Sequence, residues 1–178
     1  MAAYKWQNIQ RRIKTISNPI GVEVGVFRGE LSVRLLQNIP ELTLFMVDLW
    51  SPKTYCGKCD QSVSEIMRNE YEKNYIQNYE YVQEITEPFY ERAIILQQDS
   101  LIAAAQFKNQ YFDFVFLDAG HSHDDVKADI FAWYPKIKKG GWICGHDYNN
   151  FPGVNKAVDE IFKGKAEIDS DYTWFFRL

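Results

Sequence analysis

The chain has 178 residues, 46% apolar and 25% charged, with a formal net charge of −4; this length suits one globular domain with a sizeable core. The acidic balance gives no general electrostatic reason to expect nucleic acid or an anionic membrane surface as partner, and no apolar run reaches the roughly 20 residues that span a bilayer. Three cysteines, Cys56, Cys59 and Cys144, are an odd number that favours free thiols in a reducing, cytoplasmic compartment over a disulfide framework.

The first acidic residue is Glu23, so the N-terminal segment is acid-poor and carries Arg11, Arg12 and Lys14. A transit peptide can have that composition. Trp6, Ile9, Ile13 and Ile16, however, recur at helical spacing and lead straight into a β-branched run, which predicts a helix covering the domain. "PIGVEVGV" (19–26) reads as a buried strand, and "ELSVRLLQNI" (30–39) as a helix with Leu31, Leu35 and Ile39 on one face, stopped by Pro40. "LTLFMVD" (42–48) is a second strand ending on an acid. "SPKTYCGKC" (51–59) looks like a loop, and "SVSEIMRNEYEKNYIQNYEYVQEI" (62–85) like a polar, Tyr-rich helix. "RAIILQQD" (92–99) is a third strand ending on an acid, and "LIAAAQF" (101–107) a short helix. "YFDFVFLDAG" (111–120) is a fourth strand ending on Asp118. "DDVKADIFAWYPKIK" (124–138) has helical spacing, with Asp124 and Asp125 favoured by the dipole at its start. "GGWICGHD" (140–147) is a fifth strand ending on Asp147. "GVNKAVDEIF" (153–162) is a helix, and "KAEIDSDYTWFFRL" (165–178) a closing hairpin.

Strands alternating with helices predict an α/β fold on a mostly parallel sheet. No linker or repeat divides residues 1–178, so a single domain is expected, with a lid-like or surface insertion at about 50–90. In such sheets ligands bind beyond the carboxyl ends of the strands. Gly25 to Gly29, Asp48, Asp99, Asp118 and Asp147 then share one edge, with Glu23 just inside it. Phe27 occupies the place where a dinucleotide turn needs a glycine against the pyrophosphate. The carboxylates of this edge would also repel an anionic ligand. A ligand with a ribose, a positive centre and no phosphate suits it better, and S-adenosylmethionine has those properties.

"GVEVGVFRGELSVRLLQNIPELTLFMVDLW" followed by "FDFVFLDAGHSHDDVKADIFAWYPKIKKGGWICGHDY" resembles the class I S-adenosylmethionine-dependent methyltransferases. The resemblance covers about residues 19 to 162. It is closest to the small-molecule and sugar O-methyltransferase-like group, with its D-A-x-H-S and G-G-x-x-x-G-H-D-Y patterns. It implies a Rossmann-like, seven-stranded, mostly parallel sheet with one antiparallel edge strand and helices on both faces. Carried onto this sequence, it implies that the turn of Glu23, Gly25, Phe27 and Gly29 holds the methionine part of the cofactor. Asp48, with Leu49 and Trp50 beside it, would hold the ribose. Asp99 and Ser100 would border the adenine, and Asp118 with His121 would face the methyl group.

Methyl transfer needs an in-line nucleophile and either a base or a cation to ease its proton away. The resemblance implies a Mg2+ site in related metal-dependent enzymes, with an acid after strand four and an acid–amide pair after strand five. Asp118 and Asp147 match the acids. The amide does not match, because Tyr148 follows Asp147 and Asn149 comes one place late. The metal-free route would use a histidine: His121 first, then His146, with His123 placed at an exposed helix start. Cys56 and Cys59 lack the second ligand pair of a structural zinc site and read as ordinary loop thiols. Tyr71, Tyr75 and Tyr79 form a stripe at helical spacing that reads as packing. The expected partner is a small-molecule substrate, without nucleic acid or membrane, and the 16% aromatic content would permit a homodimer interface. Two other functions remain open: a cofactor-binding module without transfer activity, and a nicotinamide-dependent oxidoreductase on a similar sheet.

Overall fold

A computed structural model describes residues 4–51 and 65–178, and the side chains among them apart from 65–73. The helices are α1 (Lys5–Ile13), α2 (Glu30–Asn38), α3 (Glu65–Thr86), α4 (Ser100–Ala105), α5 (His123–Trp133) and α6 (Pro152–Phe162). The strands are β1 (Ile20–Val24), β2 (Thr43–Asp48), β3 (Ala93–Gln97), β4 (Phe112–Leu117), β5 (Ile137–Gly145), β6 (Glu167–Ile168) and β7 (Trp174–Arg177). They form one seven-stranded sheet in the order β3-β2-β1-β4-β5-β7-β6. The pairs from β3 across to β5 are parallel, while β7 runs antiparallel to both β5 and β6. The expected antiparallel strand is therefore present but lies one place inside the edge, because the two-residue β6 folds back outside it.

Strand alternation divides the side chains between two cores. Val22, Val24, Val47, Val115, Leu117 and Ile143 point to the layer of α4, α5 and α6, where Ile130, Trp133 and Phe162 meet them. Leu44, Met46, Phe114, Phe116 and Cys144 point to the opposite layer, against Ile9 and Ile13 of α1, Leu35 and Leu36 of α2 and Val82 of α3. Helices thus cover both faces. Glu23 lies on β1 between Val22 and Val24, so alternation turns its carboxyl toward α1 and α2.

Three boundaries differ from the sequence expectation. β3 stops at Gln97, because Asp99 caps α4 by accepting from the Leu101 and Ile102 amides. The helix predicted over 124–138 ends at Trp133, with Pro135 in the short 3₁₀ turn that follows. β5 consequently begins at Ile137 and takes in the two glycines expected to open it. The Tyr-rich helix forms, with Tyr79 packed on Trp50 at 5.1 Å between ring centroids. Cys56 and Cys59 lie outside the described residues, as does the Tyr71 side chain. Among the described residues no helix is long and apolar enough to cross a membrane.

Arg12 joins α1 to the C-terminal hairpin. Its side chain is 8% exposed and pairs with Asp169 at 2.9 Å and Glu167 at 2.8 Å. Its guanidinium carbon also lies 3.5 Å from the centre of the Phe175 ring. Arg12→Ala removes the cation–π contact and leaves Asp169 without its nearer partner, so a loss of roughly 1–3 kcal/mol is expected in urea denaturation.

Candidate active site

The β1–α2 turn is built from left-handed backbone. Gly25 (φ 89°), Phe27 (φ 54°) and Gly29 (φ 73°) all have positive φ, which carries the chain around within five residues. At Gly25 a side chain is also excluded by space, since a Cβ there would lie 2.2 Å from the Asp118 carbonyl oxygen. Gly29 brings the turn against Val82 and Ile85 of α3. Phe27 pays the strain of a left-handed non-glycine residue and is 60% exposed, its ring standing off the turn.

Asp48 holds this turn from beneath. Its Oδ2 accepts from the amides of Val26 and Phe27, each at 2.9 Å. Its Oδ1 accepts from the Trp50 amide at 2.8 Å, and the Trp50 indole donates to the Phe27 carbonyl at 2.9 Å. Three of about four acceptor positions on the carboxylate are therefore engaged by backbone. Room remains for one ribose hydroxyl on the side chain. Leu49 is half-buried beside it.

Glu23 is 2% exposed and accepts from the Ser32 hydroxyl of α2. Burial pushes its carboxyl from 4.5 up to about 8. The Ser32 hydrogen bond and Lys5 oppose that rise, and Asp118 and Asp48 add to it. Lys5 is a cation that sequence reasoning did not single out: from the first turn of α1 its ammonium reaches Asp118 Oδ2 at 2.8 Å. Nothing in the local sequence marks it, because the two residues stand 113 positions apart.

The strand-four and strand-five ends converge. Ligand atoms of Asp118, His121 and Asp147 lie within 4.8 Å of one another. His121 Nε2 lies 2.8 Å from Asp147 Oδ2, and Phe151 stacks on the imidazole at 4.3 Å. His146 Nε2 lies 2.9 Å from the Asp171 carbonyl oxygen, and its Nδ1 is 3.1 Å from Asp147 Oδ1. Asp147 has φ 62°, which turns the chain so that the Asn150 amide donates to its Oδ1 at 2.8 Å. Asn150 thus braces the Asp147 carboxylate through its NH2 and does not replace the ligating amide absent at Tyr148. Burial would raise the Asp147 carboxyl, but the Asn150 amide and the imidazoles of His146 and His121 outweigh it and hold it below the ordinary value.

Two predicted residues are occupied elsewhere. Asp99 uses Oδ1 as the α4 cap. The Ser100 hydroxyl donates to Asp129 at 2.5 Å and accepts from the Trp133 indole at 2.9 Å, facing α5. His123 is drawn away to Asp124 and Glu160, each at 2.8 Å, outside the cluster.

Comparison with known proteins bears on the family and the fold. Residues 22–148 match the model of a methyltransferase domain. An uncharacterized protein of Acanthamoeba polyphaga mimivirus is 28% identical over 152 residues, covering 81% of this chain and 61% of its own length. The chain thus spans under two thirds of that relative. The O-methyltransferase NovP superposes with a TM-score of 0.63 at 18% identity, over 97% of this chain and 78% of its own. A putative rRNA-methylase from Clostridium thermocellum superposes with a TM-score of 0.64 at 8% identity, over 100% of both chains. At such identities the two structures speak for the fold. Together with the family match they establish that the chain belongs to the methyltransferase-domain family and has the class I methyltransferase fold.

Proposed function

We propose that the protein is an S-adenosylmethionine-dependent methyltransferase acting on an oxygen of a small molecule or sugar. The observation that carries this reading is the pre-bent Gly25–Gly29 turn, held by Asp48 on the same sheet edge as Asp118, His121 and Asp147. The donor set suits a cationic, phosphate-free cofactor: Glu23, Asp48 and Asp118 surround the turn, and none of their contacts needs a pyrophosphate. Glu23, Gly25, Phe27 and Gly29 would hold the methionine part, Asp48 with Leu49 and Trp50 the ribose, and the α4 start at Asp99 and Ser100 the adenine. When bound, the cofactor supplies an electrophilic methyl group and leaves as a neutral thioether.

The acceptor hydroxyl must lose its proton as its oxygen bonds to that methyl carbon. Asp147 can only accept, so its contact fixes a proton on His121 Nε2 and leaves Nδ1 as the basic nitrogen. Phe151 holds the ring flat, and Asp147 balances the imidazolium that forms. The segment at about 50–90 is read as the specificity element, since α3 packs over the turn through Val82 and Ile85 and places Tyr81 under Arg28 at 5.3 Å.

Calorimetric titration with S-adenosylhomocysteine tests this reading. The wild type should bind saturably, and Asp48→Ala should bind more weakly by about 1.5–3 kcal/mol, or roughly 10- to 150-fold. Because Asp48 also fastens the turn, the variant's melting temperature must be followed alongside. No binding by the folded wild type would refute the proposal.

A further inference from the structure

Lys5 brings an ammonium into the candidate site from the helix layer that covers the sheet. Its Nζ lies 2.8 Å from Asp118 Oδ2, and the two side chains are 34% and 19% exposed. The same charge opposes the rise of the Glu23 carboxyl, to which Asp118 and Asp48 add. All four groups therefore act on one another at the foot of the β1–α2 turn, where the Asp118 carbonyl lies close under Gly25. Carboxylates gathered in a part-buried crevice repel unless a cation stands among them. Here the protein supplies that cation itself.

Only the lysine side chain needs to move to break this contact. Lys5 is the first residue of α1, next to Tyr4, which is 69% exposed. The body of the helix is fixed without it: Ile9 and Ile13 are buried, and Arg12 is clamped by Asp169, Glu167 and the Phe175 ring. Among the described residues, Asp118 is the one hydrogen-bond or ion-pair partner of the Lys5 ammonium. A compact ammonium on a flexible four-carbon stem can leave such a partner by side-chain rotation, with no helical bond broken. The turn itself is held by Asp48 and stays in place.

We infer that Lys5 is a built-in stand-in for the ammonium of the cofactor's methionine part, and that the arriving ligand displaces it from Asp118. The inference rests on the S-adenosylmethionine reading, which lays the methionine part along Glu23, Gly25 and Gly29. One ammonium then replaces another on Asp118, so the carboxylate is never left bare and the crevice keeps its charge balance with or without ligand. The displaced lysine turns to solvent. Each binding event gives up the Lys5–Asp118 pair, so the wild-type affinity lies below what the crevice could otherwise reach. The demethylated product carries the same ammonium, and Lys5 competes with it in the same way. A tethered competitor of this kind speeds product release, a step that often limits turnover.

Two measurements on the full chain test this. In calorimetric titration, Lys5→Met should tighten S-adenosylhomocysteine by about 2- to 5-fold, the scale of a partly exposed ion pair. It should leave 5′-methylthioadenosine, which has the same nucleoside but no ammonium, unchanged. Lys14→Met, at the C-terminal end of α1, controls for the loss of one positive charge and should alter neither affinity. Trace acetylation of the wild type, read at each lysine by mass spectrometry, needs no variant. Saturating S-adenosylhomocysteine should raise the labelling of Lys5 and leave that of Lys138, paired with Asp113 at 2.8 Å, as it was. Weaker binding by Lys5→Met, or shielding of Lys5 by the ligand, would show that the lysine grips the ligand's carboxylate and would overturn the inference while the cofactor reading stands. Equal affinity of the two proteins, or unchanged labelling, would overturn it as well. If S-adenosylhomocysteine does not bind the folded wild type, the cofactor reading fails and the inference falls with it.

Discussion

Replacing Gly25 by alanine is expected to destabilise the protein by roughly 2–5 kcal/mol and to abolish cofactor binding. The new Cβ would meet the Asp118 carbonyl oxygen at 2.2 Å, its carbon at 2.5 Å and the Ala119 nitrogen at 2.7 Å. All three are backbone atoms, so no side chain can swing away. The φ of 89° adds the left-handed penalty of about 1–2 kcal/mol to an overpacking cost of about 1–3 kcal/mol. Relief requires β1 and β4 to separate at the edge that carries Asp48 and Asp118. Chemical denaturation measures the stability term, and S-adenosylhomocysteine titration of the still-folded variant measures the other. A variant as stable as the wild type would show that the turn opens without cost.

Glu23→Gln is expected to stabilise the protein, with a size set by pH. The buried carboxyl titrates at about 8 in the folded chain and near 4.5 when exposed. Between those values the folded state holds a proton that the unfolded state has lost, so wild-type stability falls as pH rises through this window. Below it the two proteins should match. Above pH 8 the amide, which cannot ionise and still accepts from Ser32, should be more stable by roughly 3–5 kcal/mol. Urea midpoints at pH 5 and pH 9 test this, and a difference independent of pH would refute it. Above pH 8, where the wild-type carboxyl is ionised, the same substitution should also weaken a ligand bearing an ammonium group, since it removes that charge. A residue that costs stability and lies beside the proposed cofactor turn is the kind of conflict found where function, not folding, selects the side chain.

The sheet was legible from periodicity and punctuation. β-branched runs alternating with amphipathic stretches located β1 to β5, and Pro40 and the Gly25–Gly29 turn marked where direction changes. The convergence of Asp48, Asp118 and Asp147 followed from topology alone, because every parallel strand delivers its last residue to one edge. What escaped was set by tertiary approach. Lys5 reaches Asp118 from the far end of the sequence, and no spacing rule connects them. Asn150 serves Asp147 only because that residue adopts φ 62°, a conformation that Asp tolerates but does not announce. Asp99 has a use that its place after a strand did not show: beside a helix start it caps the free amides of Leu101 and Ile102. β6, two residues long, has too little pattern to be separated from the turn that follows it.

The three backbone bonds of the Asp48 carboxylate have a consequence for how the proposed cofactor would arrive. A glycine turn left to itself samples many conformations, and a ligand that orders it forfeits part of its binding free energy to lost chain entropy. Here a side chain of the neighbouring strand has already frozen the loop. The ligand meets a finished mould, and more of each new contact appears as affinity.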